Sequence, residues 1–263
     1  MPLAQVNGTE LYYEDTGKGS ALLFIHGTGA SAGIWDSQVQ RLGDRYRCVT
    51  YDRRGNRRSG PSNAPRSIGA DADDAAELIQ RLGMAPCLVV GLSWGGAIAV
   101  ALGRQHPELV RGLALGEPTL LGLDMEGAGR LGAMKPEMEK AAAAGGPRAA
   151  VDAFYGLACA QFWATLDEAG REPFRANFAG MFEDLQMPPY ILAEADLSSI
   201  QTPALLLVGT DSAPFFRRVA ELMCVRMPRA KLLQVSGSGH VVFAEKPDFC
   251  AQAIADFELR LPA

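Results

Sequence analysis

Gly91-Leu92-Ser93-Trp94-Gly95-Gly96 stands between an apolar run, Cys87-Leu88-Val89-Val90, and a run of helix-forming residues, Ala97-Ile98-Ala99-Val100-Ala101-Leu102. Apolar strand, sharp turn, helix is the context that a Gly-x-Ser-x-Gly turn requires. The turn is tight, so its flanks cannot carry bulk. Gly91 and Gly95 meet that need, and Gly96 lets the helix approach the strand. Such geometry lifts Ser93 into a strained, exposed position above the strand end. There its hydroxyl can meet a base, and the amide of Trp94 can face a developing oxyanion at the helix N-terminus. A glycine-rich turn with a bystander serine is the competing reading, because five-residue patterns recur by chance. The rest of the chain has to choose between them.

The 263 residues fit one large α/β domain with an insertion, and 48% hydrophobic residues suffice for a substantial core. A net charge of -5 argues against nucleic acid as a partner. The first residues, Met1 to Asn7, show neither a basic segment nor an apolar one, so no secretion signal is read. No apolar run reaches membrane-spanning length. Five scattered cysteines without a Cys-x-x-Cys pair read as reduced, buried thiols of a cytoplasmic protein. No phosphate loop, dinucleotide fingerprint or metal-ligand cluster is present. The oligomeric state stays open, a homodimer included.

Outward from the turn, apolar runs and helical patterns alternate. Ala4–Val6 and Glu10–Glu14 flank Asn7-Gly8 and read as a hairpin. Ala21–Ile25, Arg47–Tyr51, Cys87–Gly91, Val110–Leu115, Pro203–Gly209 and Lys231–Val235 read as strands, with helices over Ala70–Leu82, Ala97–Gln105, Phe215–Met227 and Asp248–Leu261. That alternation predicts a parallel sheet. Leu120–Leu197 breaks it, having several helix-like pieces and no strand-like run. We therefore expect a core of residues 1–119 and 198–263 and a helical cap of residues 120–197. The cap's aromatic residues divide between its own core and a substrate pocket, with Trp163 and Phe182 the expected pocket residues.

Ser93 needs a base. Only three histidines are available. His26 precedes Gly27 at a strand end and reads as a brace for its loop. His106, before Pro107, reads as a helix cap. His240 lies in the glycine-rich Ser236-Gly237-Ser238-Gly239 loop after the last strand, which we expect to be flexible and able to bring the ring over the sheet's carboxyl edge. Serine before histidine is the order of an elbow-type triad. Small residues in His26-Gly27-Thr28-Gly29 let a backbone amide approach a ligand, and Thr28 is the expected second oxyanion donor. Four arginines in Arg53-Arg54-Gly55-Asn56-Arg57-Arg58 read as a solvated loop in which Asp52 pairs locally.

With these residues placed, the chain resembles an α/β-hydrolase from end to end. The resemblance rests on His26-Gly27-Thr28-Gly29, Asp52-Arg53-Arg54-Gly55 through Ser59, Gly91 to Gly96, Pro203 to Gly209 and Gly239-His240. It implies a mostly parallel eight-stranded sheet flanked by helices, an inserted helical cap, and a catalytic triad that works without a cofactor or metal. Related epoxide hydrolases and haloalkane dehalogenases carry Asp at the centre of the elbow, where this chain has Ser93. Two departures stand out. Arg57 replaces the second Gly of the usual Asp-x-Arg-Gly-x-Gly-x-Ser turn. The usual acid position, Gly-x-x-Asp, holds Ser212 in Gly209-Thr210-Asp211-Ser212, with Asp211 one residue early.

Glu117 and Asp211 are thus both candidate acids. Glu117 is preferred, because a one-residue shift redirects a side chain at a strand end and because zearalenone-type lactone hydrolases, which this chain resembles, place a triad glutamate after the sixth strand. The expected function is hydrolysis of an apolar, moderate-sized ester or lactone through Ser93, His240 and Glu117. Carbon–carbon bond hydrolysis, perhydrolysis and a slow-turnover ligand-binding role are the alternatives on the same scaffold.

Overall fold

The computed structural model describes residues 2–61, 65–188 and 190–262; Met1 and Ala263, the ends of the expected core, lie outside them. The hairpin β1 (Leu3–Val6) and β2 (Thr9–Thr16) turns at Asn7-Gly8, both with positive φ. β3 (Ala21–Ile25), α1 (Asp36–Leu42), β4 (Arg47–Tyr51), α2 (Ile68–Arg81), β5 (Cys87–Leu92), α3 (Trp94–Gln105) and β6 (Val110–Gly116) follow. A helical insert then runs through α4 (Met125–Ala158, interrupted at Gly146), α5 (Ala160–Thr165), α6 (Glu168–Arg175), α7 (Phe178–Gln186) and α8 (Glu194–Ser199). β7 (Ala204–Gly209), α9 (Pro214–Arg226), β8 (Ala230–Val235), α10 (Val242–Glu245) and α11 (Pro247–Glu258) complete the chain.

The strands form one eight-stranded sheet in the order β1-β2-β4-β3-β5-β6-β7-β8. β1 and β2 pair antiparallel, β2 joins β4 antiparallel, and every other pair is parallel. β5, in the interior of the sheet, is buried along its whole length. Its alternate side chains enter opposite layers: Val89 packs with α2 and α3, while Leu88 and Val90 pack with Trp35 and α11. β6 and β7 divide the same way, as period-two geometry demands. Parallel strands point the same way, so the ends of β5, β6 and β7 and the turns after them share one edge of the sheet.

Sequence-based boundaries shift by a few residues. α3 begins at Trp94, immediately after the turn, and α1 was not anticipated. Ser67 caps α2 by accepting from the Ala70 amide at 3.1 Å. The arginine-rich turn is not the solvated loop expected. Asp52 does pair locally, with Arg58 at 2.7 Å, but Arg53 and Arg54 are buried. Arg53 meets Asp71 of α2 at 2.9 Å and Asp184 of α7 at 2.5 Å, and Arg54 pairs with Asp74. Arg57, in the usual glycine position, has a left-handed backbone with φ 47°.

Candidate active site

The turn after β5 forces its serine into view. A Cβ on Gly95 would lie 2.1 Å from the Ile25 carbonyl oxygen, and one on Gly91 would lie 2.5 Å from that of Gly95. Neither position tolerates a side chain. Ser93 itself adopts φ 55° and ψ -116°, a conformation costly for a non-glycine residue. Its amide donates to the Gly116 carbonyl at 2.8 Å, and its carbonyl accepts from Gly96, Ala97 and Thr119. The strain is therefore held by β6 and α3 together.

At the end of β6, Glu117 also has positive φ, 44°. Its amide donates to the Leu207 carbonyl at 3.1 Å. The fully buried carboxylate reaches across the end of β7. Oε1 accepts from the Gly209 amide at 2.9 Å, and Oε2 accepts from the Ser212 hydroxyl and faces His240 Nδ1, both at 2.6 Å. A carboxylate bond at Nδ1 places the proton on that nitrogen and leaves Nε2 as the free acceptor. Phe216 stacks on the His240 ring with centroids 4.2 Å apart and planes 17° apart. Asp211, by contrast, is exposed and accepts from its neighbour Thr210.

The histidine loop is braced rather than flexible. One carboxylate, Glu245, accepts from Ser238 Oγ and from the amides of Gly239 and Val241. Sequence reading passed over Glu245, although an acid five residues after the histidine, in a short helix, was the available signal.

His26 is fully buried and takes no part in this cluster. Its Nε2 accepts from the Arg53 amide at 3.0 Å, so Nδ1 carries the proton and donates to the Gly27 carbonyl at 2.8 Å. Burial, and then the neighbouring Arg53 charge, lowers its pKa to about 3. It is a neutral brace for the loop that carries Thr28. His106 ends α3 and meets Asp73 at 2.9 Å. Among the described residues, neither the Thr28 amide nor the Trp94 amide donates to another protein group.

Ser93, Thr28, Trp94 and His240 line one cavity that opens to solvent and spans about 870 Å³ with the solvent at its mouth included. Its walls are mostly apolar, with Phe154, Phe162 and Phe174 from the insert and Phe215 and Phe216 from α9. The two residues expected in the pocket are not among its lining. Trp163 stacks behind Tyr155 at 4.7 Å, and Phe182 stacks on Phe178 at 5.7 Å. The reason is helical rotation: Phe162 and Trp163 are adjacent on α5, about 100° apart around its axis, so only one of them faces the cavity. A further residue that sequence reading missed is Thr119. Its hydroxyl lies 3.0 Å from Ser93 Oγ and lines the cavity. No hydrogen bond joins Ser93 to His240 among the described residues, and in unliganded sites such bonds are often long.

Among the described residues, no group of three or more His, Cys, Asp or Glu side chains is placed to share a metal ion. No helix among them is long and apolar enough to cross a membrane.

Comparison with known proteins gives this arrangement its family. Over 98% of both chains, 29% of residues are identical to a protein of Azorhizobium caulinodans provisionally named carbamate hydrolase RutD. In three dimensions the chain is similar to the enol-lactonase of Burkholderia xenovorans LB400, with a TM-score of 0.82 and 22% identity over 98% of this chain and 100% of that one. It is also similar to Est816, an N-acyl homoserine lactone degrading enzyme, with a TM-score of 0.76 and 25% identity over 97% of this chain and 100% of that one. A model of the alpha/beta hydrolase family matches residues 22–253, a span that holds the elbow, Glu117 and the histidine loop, and the chain is a member of that family.

Proposed function

We propose that this enzyme hydrolyses apolar, moderate-sized carboxylic esters and lactones, using Ser93, His240 and Glu117. The observation that carries the reading is the 2.6 Å bond from His240 Nδ1 to the buried Glu117, which points Nε2 toward the cavity that Ser93 shares. Ser93 Oγ attacks the acyl carbon while His240 Nε2 takes its proton. The carbonyl electron pair moves onto oxygen, between the amides of Thr28 and Trp94. Collapse expels the alkoxide, which receives the proton from His240 and leaves Ser93 acylated. Water then repeats the sequence: His240 takes its proton, the hydroxide adds, and Ser93 leaves as the alcohol. Glu117 stays ionised throughout and stabilises the imidazolium.

The phenylalanine-rich walls support an apolar substrate. The insert, residues 120–197 in this reading, acts as the cap that sets its size. Lactones are favoured by the glutamate after the sixth strand and by the likeness to Est816. A fluorophosphonate probe should label Ser93, and a panel of p-nitrophenyl esters and aliphatic lactones should be turned over by the wild type but not by Ser93→Ala. Turnover by the Ser93→Ala protein at a rate near that of the wild type would remove the reading.

A further inference from the structure

Starting from the proposed role of the Thr28 amide as an oxyanion donor, we infer that the helical insert sets the direction of that amide, with Tyr155 and Asn177 as positioning residues. A peptide unit is planar and trans, so its N–H points opposite to its C=O. Fixing the Gly27 carbonyl therefore aims the Thr28 N–H, and fixing the Thr28 carbonyl as well determines the two backbone angles between the units. The structure holds both. The Gly27 carbonyl accepts from His26 Nδ1 at 2.8 Å and from Arg53 Nη2 at 3.4 Å. Arg53 is in turn gripped by Asp184 of α7. The Thr28 carbonyl accepts from the hydroxyl of Tyr155 in α4 at 3.1 Å. Two residues on, the Ala30 carbonyl accepts from Asn177 Nδ2 at 2.7 Å.

The contact is close as well as polar. Gly29 has φ 70°, and a Cβ there would lie 3.1 Å from both the Tyr155 hydroxyl and Met181 Cγ. Tyr155 is itself locked in place. It is buried, stacks on Trp163 and meets Phe154 and Phe174 edge to face. It also lines the cavity. A substrate that fills the cavity thus packs against the same side chain that holds the oxyanion loop. Trp163 acts on the site through this stack, which gives it a role without substrate contact.

The test compares wild type, Ser93→Ala, Tyr155→Phe and Asn177→Ser on p-nitrophenyl butyrate. Rates of the proteins that keep Ser93 are normalised to sites titrated with a fluorophosphonate, so that loss of folded protein does not count as loss of rate, and that of Ser93→Ala is normalised to protein concentration. Tyr155→Phe keeps the ring stack and removes one donor. It should lower kcat per titrated site by about tenfold or more and leave KM within about twofold, since small displacements of a positioned group cost rate rather than binding. Affinity for a phenylboronic acid, which presents a tetrahedral oxyanion, should fall by the same factor as kcat/KM. Asn177→Ser should show the same pattern. Tyr155→Phe with kcat and boronate affinity within about twofold of wild type overturns the inference, as does a rise in KM at unchanged kcat. Either result, beside an inactive Ser93→Ala, leaves the hydrolase reading standing. Activity retained by Ser93→Ala overturns that reading instead.

Discussion

Ser212 donates its hydroxyl to Glu117 Oε2 at 2.6 Å, the same oxygen that faces His240 Nδ1. The acid is displaced relative to the arrangement common in the family. Where an aspartate usually stands after the seventh strand, a serine solvates a carboxylate that has come from the sixth. With the Gly209 amide, the carboxylate has three donors in a fully buried setting, which keeps a buried charge tolerable.

Glu117→Gln should therefore lose about ten-thousand-fold in kcat with its fold retained, because a neutral amide no longer enforces the Nδ1 proton. Asp211→Asn, on an exposed side chain, should keep most of the activity. Ser212→Ala should fall between them, removing one neutral donor from an ionised acceptor. Steady-state kinetics on one ester, with circular dichroism as the fold control, checks all three. Full activity in Glu117→Gln together with loss in Asp211→Asn would move the acid to Asp211.

The local parts of this site were legible. A strand, two glycines around a serine, and a histidine on a loop are set by neighbours in sequence, and register together with the resemblance to zearalenone-type lactone hydrolases favoured Glu117 over Asp211. What the chain did not disclose lies across long separations. Arg53 and Asp184 are 131 positions apart, and their pairing depends on how the insert folds onto the core. The arginine-rich turn consequently read as solvated when two of its guanidinium groups are buried. Trp163 and Phe182 show the same limit inside the insert. On short helices with aromatic residues side by side, composition does not say which neighbour turns inward.

The buried cluster of Arg53, Arg66, Asp71 and Asp184 ties the turn after β4 and α2 to α7. Asp184 meets Arg53 at 2.5 Å and Arg66 at 2.9 Å, and all four side chains are almost fully buried. Asp184→Ala leaves two guanidinium groups with one buried carboxylate, Asp71, and the exposed Glu183 at 3.5 Å from Arg66, and should cost about 3–5 kcal/mol. Urea unfolding should register that as a lower midpoint. Glu172→Ala, which breaks an exposed pair with Arg148, should leave the midpoint unchanged. Equal midpoints for the two variants would show that the cluster does not secure the insert.

His26 makes stability fall with acidity in a defined window. In the folded chain it stays neutral down to about pH 3, whereas its ordinary pKa is 6.5. Between those values the unfolded chain binds the additional proton, so the contribution is complete above 6.5 and is lost as the pH falls below it. The slope from this one group approaches about 1.4 kcal/mol per pH unit. His26→Asn keeps a donor for the Gly27 carbonyl without a titrating ring. It should be less stable at pH 7, and its melting temperature should decline less steeply from pH 6.5 to 4. Parallel declines in the two proteins would show that His26 is not held neutral.

Thr119 offers the most direct access to the resting state of Ser93, the proposed nucleophile. Its hydroxyl is 3.0 Å from Ser93 Oγ, and its amide donates to the Ser93 carbonyl at 3.1 Å, so the two residues are tied at both side chain and backbone. With Ser93 as the donor in that bond, its hydroxyl has to turn and release Thr119 before it can give its proton to His240 Nε2. A hydrogen bond between two neutral hydroxyls contributes about 0.5–1.5 kcal/mol net, which corresponds to about two- to tenfold in rate. Thr119→Val has nearly the same shape and lacks the partner, so Ser93 has only His240 to turn to. Its labelling by a fluorophosphonate should be about two- to tenfold faster than in the wild type. Thr119→Ser keeps the hydroxyl and should label at the wild-type rate, which separates the hydrogen bond from the change in shape. Slower labelling in Thr119→Val would mean that the threonine hydroxyl assists attack rather than holding the serine back.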